Sequence, residues 1–353
     1  MGRRCKGFTV MLGLILLMGC SRPPLAPTPT PMPSPTATST TTPTTTLTAT
    51  PTATATPTPT FTPTPTPDPY AGLTISDLAA RAYGGGEIQV EEVLAVTAAF
   101  TRSLITYPSD GLTIYGFIDV PRGEGPFPVV VVLHGYIPPP EYQTVAYTTR
   151  YADALARAGY VAIHPNLRNF PPSDGGENVF WTGNAIDTLN LIALVQAWGG
   201  KPGLLRQADP ERVGVWGHSM GGGAAIHVIT VDPGIRAAVL YAAISADPRL
   251  NRERDFYWRG ALVYKEVRVS EEDMRRIAPI DHLDRIQAAV SIHHSAADPM
   301  VPPAWSDDLC ARLEALGKTV ECFTYQGLPH TFRGDGDTLF MQRYVDFFDR
   351  YLK

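Results

Sequence analysis

Gly217-His218-Ser219-Met220-Gly221 is the run whose residue types and spacing point to chemistry. The apolar stretch Arg212–Trp216 precedes it and the small-residue stretch Gly222–Thr230 follows. That order predicts strand, sharp turn, helix. A serine on such a turn sits in a strained backbone with its hydroxyl presented above the sheet. Glycines two residues before and two after it keep the tight turn free of side chains. A serine hydroxyl alone is a poor nucleophile. It needs a base to take its proton and an acid to orient that base and stabilise its charged form.

After Ser219 the best-placed acid is Asp298, in Ser295-Ala296-Ala297-Asp298-Pro299 just beyond the apolar run Ala288–His293. Asp281 and Asp284 precede that run and read as surface charges on a turn. The best-placed base is His330, in the loop between the run Val320–Tyr325 and the closing helical stretch. His164, His293 and His294 border predicted strands and read as packed or locally bonded. His227 lies on the helix after Ser219, and His282 in a polar turn. His218 neighbours the nucleophile and lines the site, but does not readily fold back as its base. An oxyanion needs two backbone N–H donors. Met220 supplies one, directly after the serine. Tyr136, in His134-Gly135-Tyr136 beyond the predicted strand Val129–Leu133, supplies the other. No set of histidines, cysteines and carboxylates has metal-site spacing. Asp335-Gly336-Asp337 is too short for a calcium loop. The chemistry therefore calls for no metal and no cofactor.

The elements that must position these residues alternate. Strands are expected at Leu112–Val120, Pro128–Leu133, Tyr160–His164, Arg212–Trp216, Ile235–Tyr241, Ala288–His293 and Val320–Tyr325. Helices are expected at Ser76–Tyr83, Tyr151–Ala158 (stopped by Gly159), Ala185–Trp198, Trp305–Leu316 and Leu339–Tyr351. The unbroken Val129-Val130-Val131-Val132 suits a strand buried on both faces. The fold class is then α/β, a doubly wound and mostly parallel sheet. Chemistry in such sheets lies beyond the carboxyl ends of the strands, where all three candidate residues fall. Two segments bear on substrate choice. Pro165–Gly183 carries Arg168, Phe170, Phe180 and Trp181; a stretch around 247–272, with Phe256, Tyr257, Trp258 and Tyr264, is a candidate lid. Their aromatics either line an apolar acyl pocket or pack the insert on the core. Arg168 either binds a carboxylate or sits in a structural ion pair.

The catalytic domain is expected at 70–353. Before it, residues 21–69 are nearly all Pro, Thr, Ala and Ser, and such a tract cannot bury enough surface to order itself. Residues 1–20 begin with Arg3, Arg4 and Lys6 and continue with an apolar run, Phe8–Gly19, too short to span a bilayer comfortably. Leu17-Met18-Gly19-Cys20 resembles the lipobox of bacterial lipoproteins, which implies lipid attachment at Cys20 and a membrane-tethered, extracytoplasmic domain. Beyond the leader only Cys310 and Cys322 remain. In an oxidising compartment these form a disulfide or stay as two buried thiols; both readings are open. The chain carries a net charge of −5, and its folded part is more acidic still, because four of the five charges before Tyr70 are basic. With no basic stripe, nothing favours nucleic acid as a partner. The partner expected at the site is a small ester or peptide-like substrate.

These residues resemble the α/β-hydrolases. Within them they are similar to the catalytic domain of the prolyl oligopeptidase family and to dienelactone-hydrolase-like esterases. The resemblance covers about Leu112–Lys353. It rests on Ile277-Ala278-Pro279-Ile280-Asp281 leading to Asp298-Pro299-Met300-Val301-Pro302, and on Gly317-Lys318-Thr319-Val320 leading to Pro329-His330. Gly217 to Gly223 is also similar to motifs of cutinase-like polyester hydrolases. The resemblance implies a Ser219–Asp298–His330 triad and cleavage of esters or amides through an acyl-enzyme. Two departures bear on peptidase activity. His294 stands where the family often has glycine, and the chain has no room for the β-propeller of the oligopeptidases. A nucleophilic cysteine, as in true dienelactone hydrolases, is absent. Fold alone does not prove activity, so a non-catalytic surface-binding protein of the same shape is the rival reading.

Overall fold

The computed structural model describes residues 68–146, 148–259 and 269–353, without the side chains of 255–259. The leader, Cys20, nearly all of the Pro/Thr tract and Tyr264 lie outside the described residues, as do the side chains of Phe256, Tyr257 and Trp258. Among the described residues nine strands form one sheet: β1 (Gln89–Val96), β2 (Phe100–Ser109), β3 (Leu112–Pro121), β4 (Phe127–Leu133), β5 (Val161–Pro165), β6 (Ala208–His218), β7 (Ala237–Tyr241), β8 (Ala289–Ser295) and β9 (Val320–Tyr325). Their spatial order is β1-β2-β3-β5-β4-β6-β7-β8-β9. β5, β4 and β6 to β9 run parallel to one another. β1, β2 and β3 join as an antiparallel edge. The fold is α/β, as its alternating pattern requires.

The antiparallel edge is the part least legible beforehand. β2 carries Arg102, Ser103, Thr106 and Pro108 among its apolar residues, so it does not read as a core strand. Arg102 is nonetheless buried, because Asp119 on β3 takes its guanidinium at 2.8 and 2.6 Å. A paired charge is tolerated where a lone one is not.

The helices are α1 (Ile75–Ala80), α2 (Thr149–Arg157), α3 (Thr182–Trp198), α4 (Met220–Val231), α5 (Pro248–Arg259), α6 (Glu271–Ile277), α7 (Pro303–Ala315) and α8 (Gly334–Leu352). Side chains alternate across the sheet, so each central strand feeds two cores. Val129, Val131 and Leu133 of β4 join the layer under α3, α4 and α7; Val130 and Val132 join the aromatic layer under α2 and α8. Both faces being covered, a continuous valine run is what this strand needs. Phe340, Tyr344, Phe347 and Phe348 give α8 its buried face against Trp216 and Tyr241.

The winding reverses beside β4. The chain passes from β4 to β5 on one side, then crosses to β6 on the other. The crevice at such a reversal, at the carboxyl ends, is where parallel sheets hold their ligands. The loop after β4 and the turn after β6 both end there.

Several imidazoles are sealed in this interior. Burial pushes His227 down to about 4 and His293 down to about 3. His134 and His164 are lowered by burial as well. In the unfolded chain each would take a proton near pH 6.5. Between that pH and its folded value the unfolded state binds more protons, so stability falls as pH drops through the window. Melting temperature should therefore decline steadily from pH 6.5 to pH 4. His227→Gln should flatten the decline by on the order of 1.4 kcal/mol per pH unit. Thermal melts of both proteins across that range check it.

Candidate active site

Ser219 has φ 55° and ψ −115°, a conformation that costs on the order of 1–3 kcal/mol and persists only when its surroundings hold it. Three backbone bonds do so. Ser219 N–H donates to the Tyr241 carbonyl at 2.9 Å, and the Ser219 carbonyl accepts from Gly223 and Ile244, each at 3.1 Å. β6 ends at His218 and α4 begins at Met220, so the serine is the turn itself.

The flanking glycines are required by contact rather than by their own dihedrals. A Cβ on Gly217 would lie 2.2 Å from the Gly221 carbonyl oxygen. One on Gly221 would lie 2.3 Å from the Leu133 oxygen and 2.7 Å from the His134 oxygen. The second clash shows how closely the turn rests on the end of β4, where His134-Gly135-Tyr136 departs. The atoms in the way are backbone and cannot swing aside. Gly221→Ala should thus cost more than the ~3 kcal/mol that bounds most substitutions. Denaturant unfolding of the purified variant measures it.

Asp298 follows β8, and His330 follows β9. His330 Nδ1–H donates to Asp298 Oδ2 at 2.7 Å; the acid's side chain is fully buried and the imidazole 17 % exposed. A proton on Nδ1 leaves Nε2 as the acceptor. Burial by itself would raise the Asp298 carboxyl. Hydrogen bonds from His294 and His330, the charge of His330 and the Val301 N–H together hold it well below the usual carboxylate range. The acid is therefore an anion at neutral pH. Its loop and the base's loop are joined: Ser295 Oγ donates to the Leu328 carbonyl at 2.6 Å, and Ala296 N–H to the Tyr325 carbonyl at 2.8 Å.

His330 is brought to the Ser219 turn through two residues. The His218 ring lies 4.7 Å from the His330 ring, and His218 Nε2–H donates to the His330 carbonyl at 3.2 Å. Tyr241 receives Ser219 N–H on its carbonyl and Phe332 N–H on its hydroxyl. One β7 residue thus ties the serine turn to the histidine loop. Nothing in the sequence marked Tyr241 for that task, since it reads as one more apolar strand residue.

Tyr136 stands just beyond β4, and Met220 is buried at the head of α4. Phe170 is buried against His134, with ring centroids 4.6 Å apart, and packs edge-on to Tyr136 at 6.0 Å. Of the two readings of that aromatic, packing is the one realised. Arg168 is buried on Asp187 at 2.8 Å, a structural ion pair that holds the same loop to α3. Phe180 and Trp181 both have positive φ, 52° and 66°, at the entry to α3. His164 donates from Nδ1 to the Val132 carbonyl at 2.9 Å, and His282 lies with Nε2 2.8 Å from the Arg275 carbonyl; both are locally bonded. His294, expected to be packed or locally bonded, is both: it is buried, and its Nε2 lies 3.1 Å from Oδ2 of Asp298, four residues on. Cys310 on α7 and Cys322 on β9 are joined, with Cα atoms 6.5 Å apart. With Glu314 they make a close cluster of metal-type donors, but their sulfurs are bonded to each other and offer no thiolate.

The fold is that of the α/β-hydrolases. Residues 200–353 match the model of the prolyl oligopeptidase family. A putative carboxymethylenebutenolidase of a Synechocystis species is 22 % identical over 249 residues, covering 67 % of this chain and 88 % of that protein. A puromycin-hydrolyzing peptidase of Mycobacterium tuberculosis superposes with a TM-score of 0.57 at 22 % identity, over 73 % of this chain and 40 % of that one. Acetyl xylan esterase 1 from a Thermoanaerobacterium species superposes with a TM-score of 0.56 at 17 % identity, over 74 % and 88 %. The chain spans only 41 % of the length of the first curated relatives it matches. At such identities the likeness to solved structures is one of fold.

Proposed function

We propose that this chain is an extracytoplasmic serine hydrolase, tethered through Cys20, that cleaves esters through an acyl-enzyme. Ser219 Oγ attacks the carbonyl carbon while His330 Nε2 takes its proton. Asp298 keeps the imidazole in the tautomer that makes Nε2 the base. The oxyanion is received by the N–H groups of Met220 and Tyr136. His330 then protonates the leaving alcohol, and a water activated by the same imidazole releases the acid and frees Ser219.

The observation that carries this reading is the His330–Asp298 bond of 2.7 Å, set against the ring of the residue that precedes a strained serine. The likeness of two thirds of this chain to a putative carboxymethylenebutenolidase supports an ester substrate. The match of residues 200–353 to a peptidase family supports a second reading, cleavage of short peptide or aminoacyl amides by the same groups.

Labelling with a fluorophosphonate tests the class: wild type should take up one equivalent and Ser219→Ala none. Equal labelling of both, or of neither, removes the assignment. A panel of short aryl esters and aminoacyl amides then separates the two readings, with kcat/KM expected to favour the esters.

A further inference from the structure

We propose that His294 is a second histidine on the catalytic carboxylate, a positioning residue that donates to the same oxygen of Asp298 as the base does. The inference rests on the reading of Asp298 as the acid of the triad and adds a residue to it.

The geometry assigns the protons. His294 Nε2 lies 3.1 Å from Asp298 Oδ2 and 3.1 Å from the Val301 carbonyl oxygen. Both are acceptors, so Nε2 carries the hydrogen. Nδ1 lies 2.6 Å from Ser306 Oγ on α7 and takes that hydroxyl's hydrogen. The ring is buried, and every polar atom on it has a partner. One carboxylate oxygen thus accepts from two imidazoles, His294 and His330. The other, Oδ1, accepts the N–H groups of Met300 at 2.7 Å and Val301 at 3.1 Å. Four donors surround a carboxylate shut off from solvent. Such an anion has one orientation, and that orientation aims Oδ2 at His330.

His294 acts on the base as well as on the acid. The hydrogen bond it donates spreads part of the carboxylate's charge, which lowers how strongly that charge favours an imidazolium at His330. Without it the carboxylate would attract the His330 proton more strongly, and His330 would stay protonated to a higher pH. The other charged or titratable groups around the pair are His218 against the His330 ring, Arg150 with Asp337 beyond the Phe332 carbonyl, and Arg254 on the carbonyls of Pro299 and Met300. All of them are kept in the variants below.

The test compares His294→Ala and His294→Gln with wild type. Glutamine places an amide N–H near the position of Nε2; alanine places nothing. The first readout is the rate of fluorophosphonate labelling against pH, whose acid limb follows His330. The second is the NMR titration of the His330 imidazole in a Ser219→Ala background, which needs no activity. For His294→Ala the midpoint should rise by about half a pH unit in both readouts. With a short aryl ester, kcat should fall about tenfold at unchanged KM, and His294→Gln should restore both. A merely structural histidine would change melting temperature and leave the midpoint alone. An unchanged or lowered midpoint, or a glutamine variant no better than alanine, overturns the proposal. Should wild type fail to label, the serine-hydrolase reading falls, while the NMR midpoint still decides whether His294 acts on this pair.

Discussion

Ser219→Ala is expected to lower kcat by roughly a millionfold while leaving the protein folded. The size follows from what the residue does. No other group at this turn offers a hydroxyl in the same place, and the base and oxyanion donors have nothing to act on without it. Folding is spared because the three bonds that hold residue 219 are made by its backbone. Alanine must accept the same φ of 55°, so the strain stays as it was. Turnover of a short aryl ester, together with melting temperature, measures both halves. A variant that keeps activity within tenfold of wild type would show that the nucleophile lies elsewhere.

Asp298→Asn should have the second largest effect, about ten thousandfold in kcat with KM little changed. An amide cannot satisfy this site. Its oxygen can serve the Met300 and Val301 N–H groups, but its NH2 then occupies the Oδ2 position and faces two N–H donors, from His294 and His330. His330 relieves the clash by moving its proton to Nε2, and in that tautomer it has no lone pair for the Ser219 hydroxyl. The deficit is one of protonation state, so it should persist at every pH between 6 and 9. NMR of the imidazole nitrogens reports the tautomer directly. Activity near the wild-type value would mean that Asp298 does not govern the base.

The two predictions differ in how far each was legible in the chain. Ser219 could be found from its own neighbours, since a turn with glycines at both ends is a local signal. The contacts explain why those glycines are needed, but the spacing was already plain. Asp298 and His330 were legible for another reason: each stands just past an apolar run, and parallel strands present such positions at one rim. His294 was marked as a packed or locally bonded histidine and as a departure from a family pattern, but not as a partner of Asp298. Its bond to the acid depends on how the loop 296–302 folds back over the end of β8, and no periodicity records that. Tyr241 carried no signal at all, because its value lies in touching two loops more than 90 residues apart in the chain. β2 was missed because its buried arginine is stabilised by Asp119, a partner on another strand.

Local order decided what the chain by itself determines here: strands where apolar runs lie, a serine turn between two glycines, and Asp298 and His330 after the strands that must deliver them. Those features arise from backbone sterics and burial within a few residues, so they can be read in line. The tertiary structure alone decided which side chains share a proton. Hydrogen bonds act over about 3 Å, and only the winding of the sheet sets His330 on Asp298 and the His218 ring beside His330.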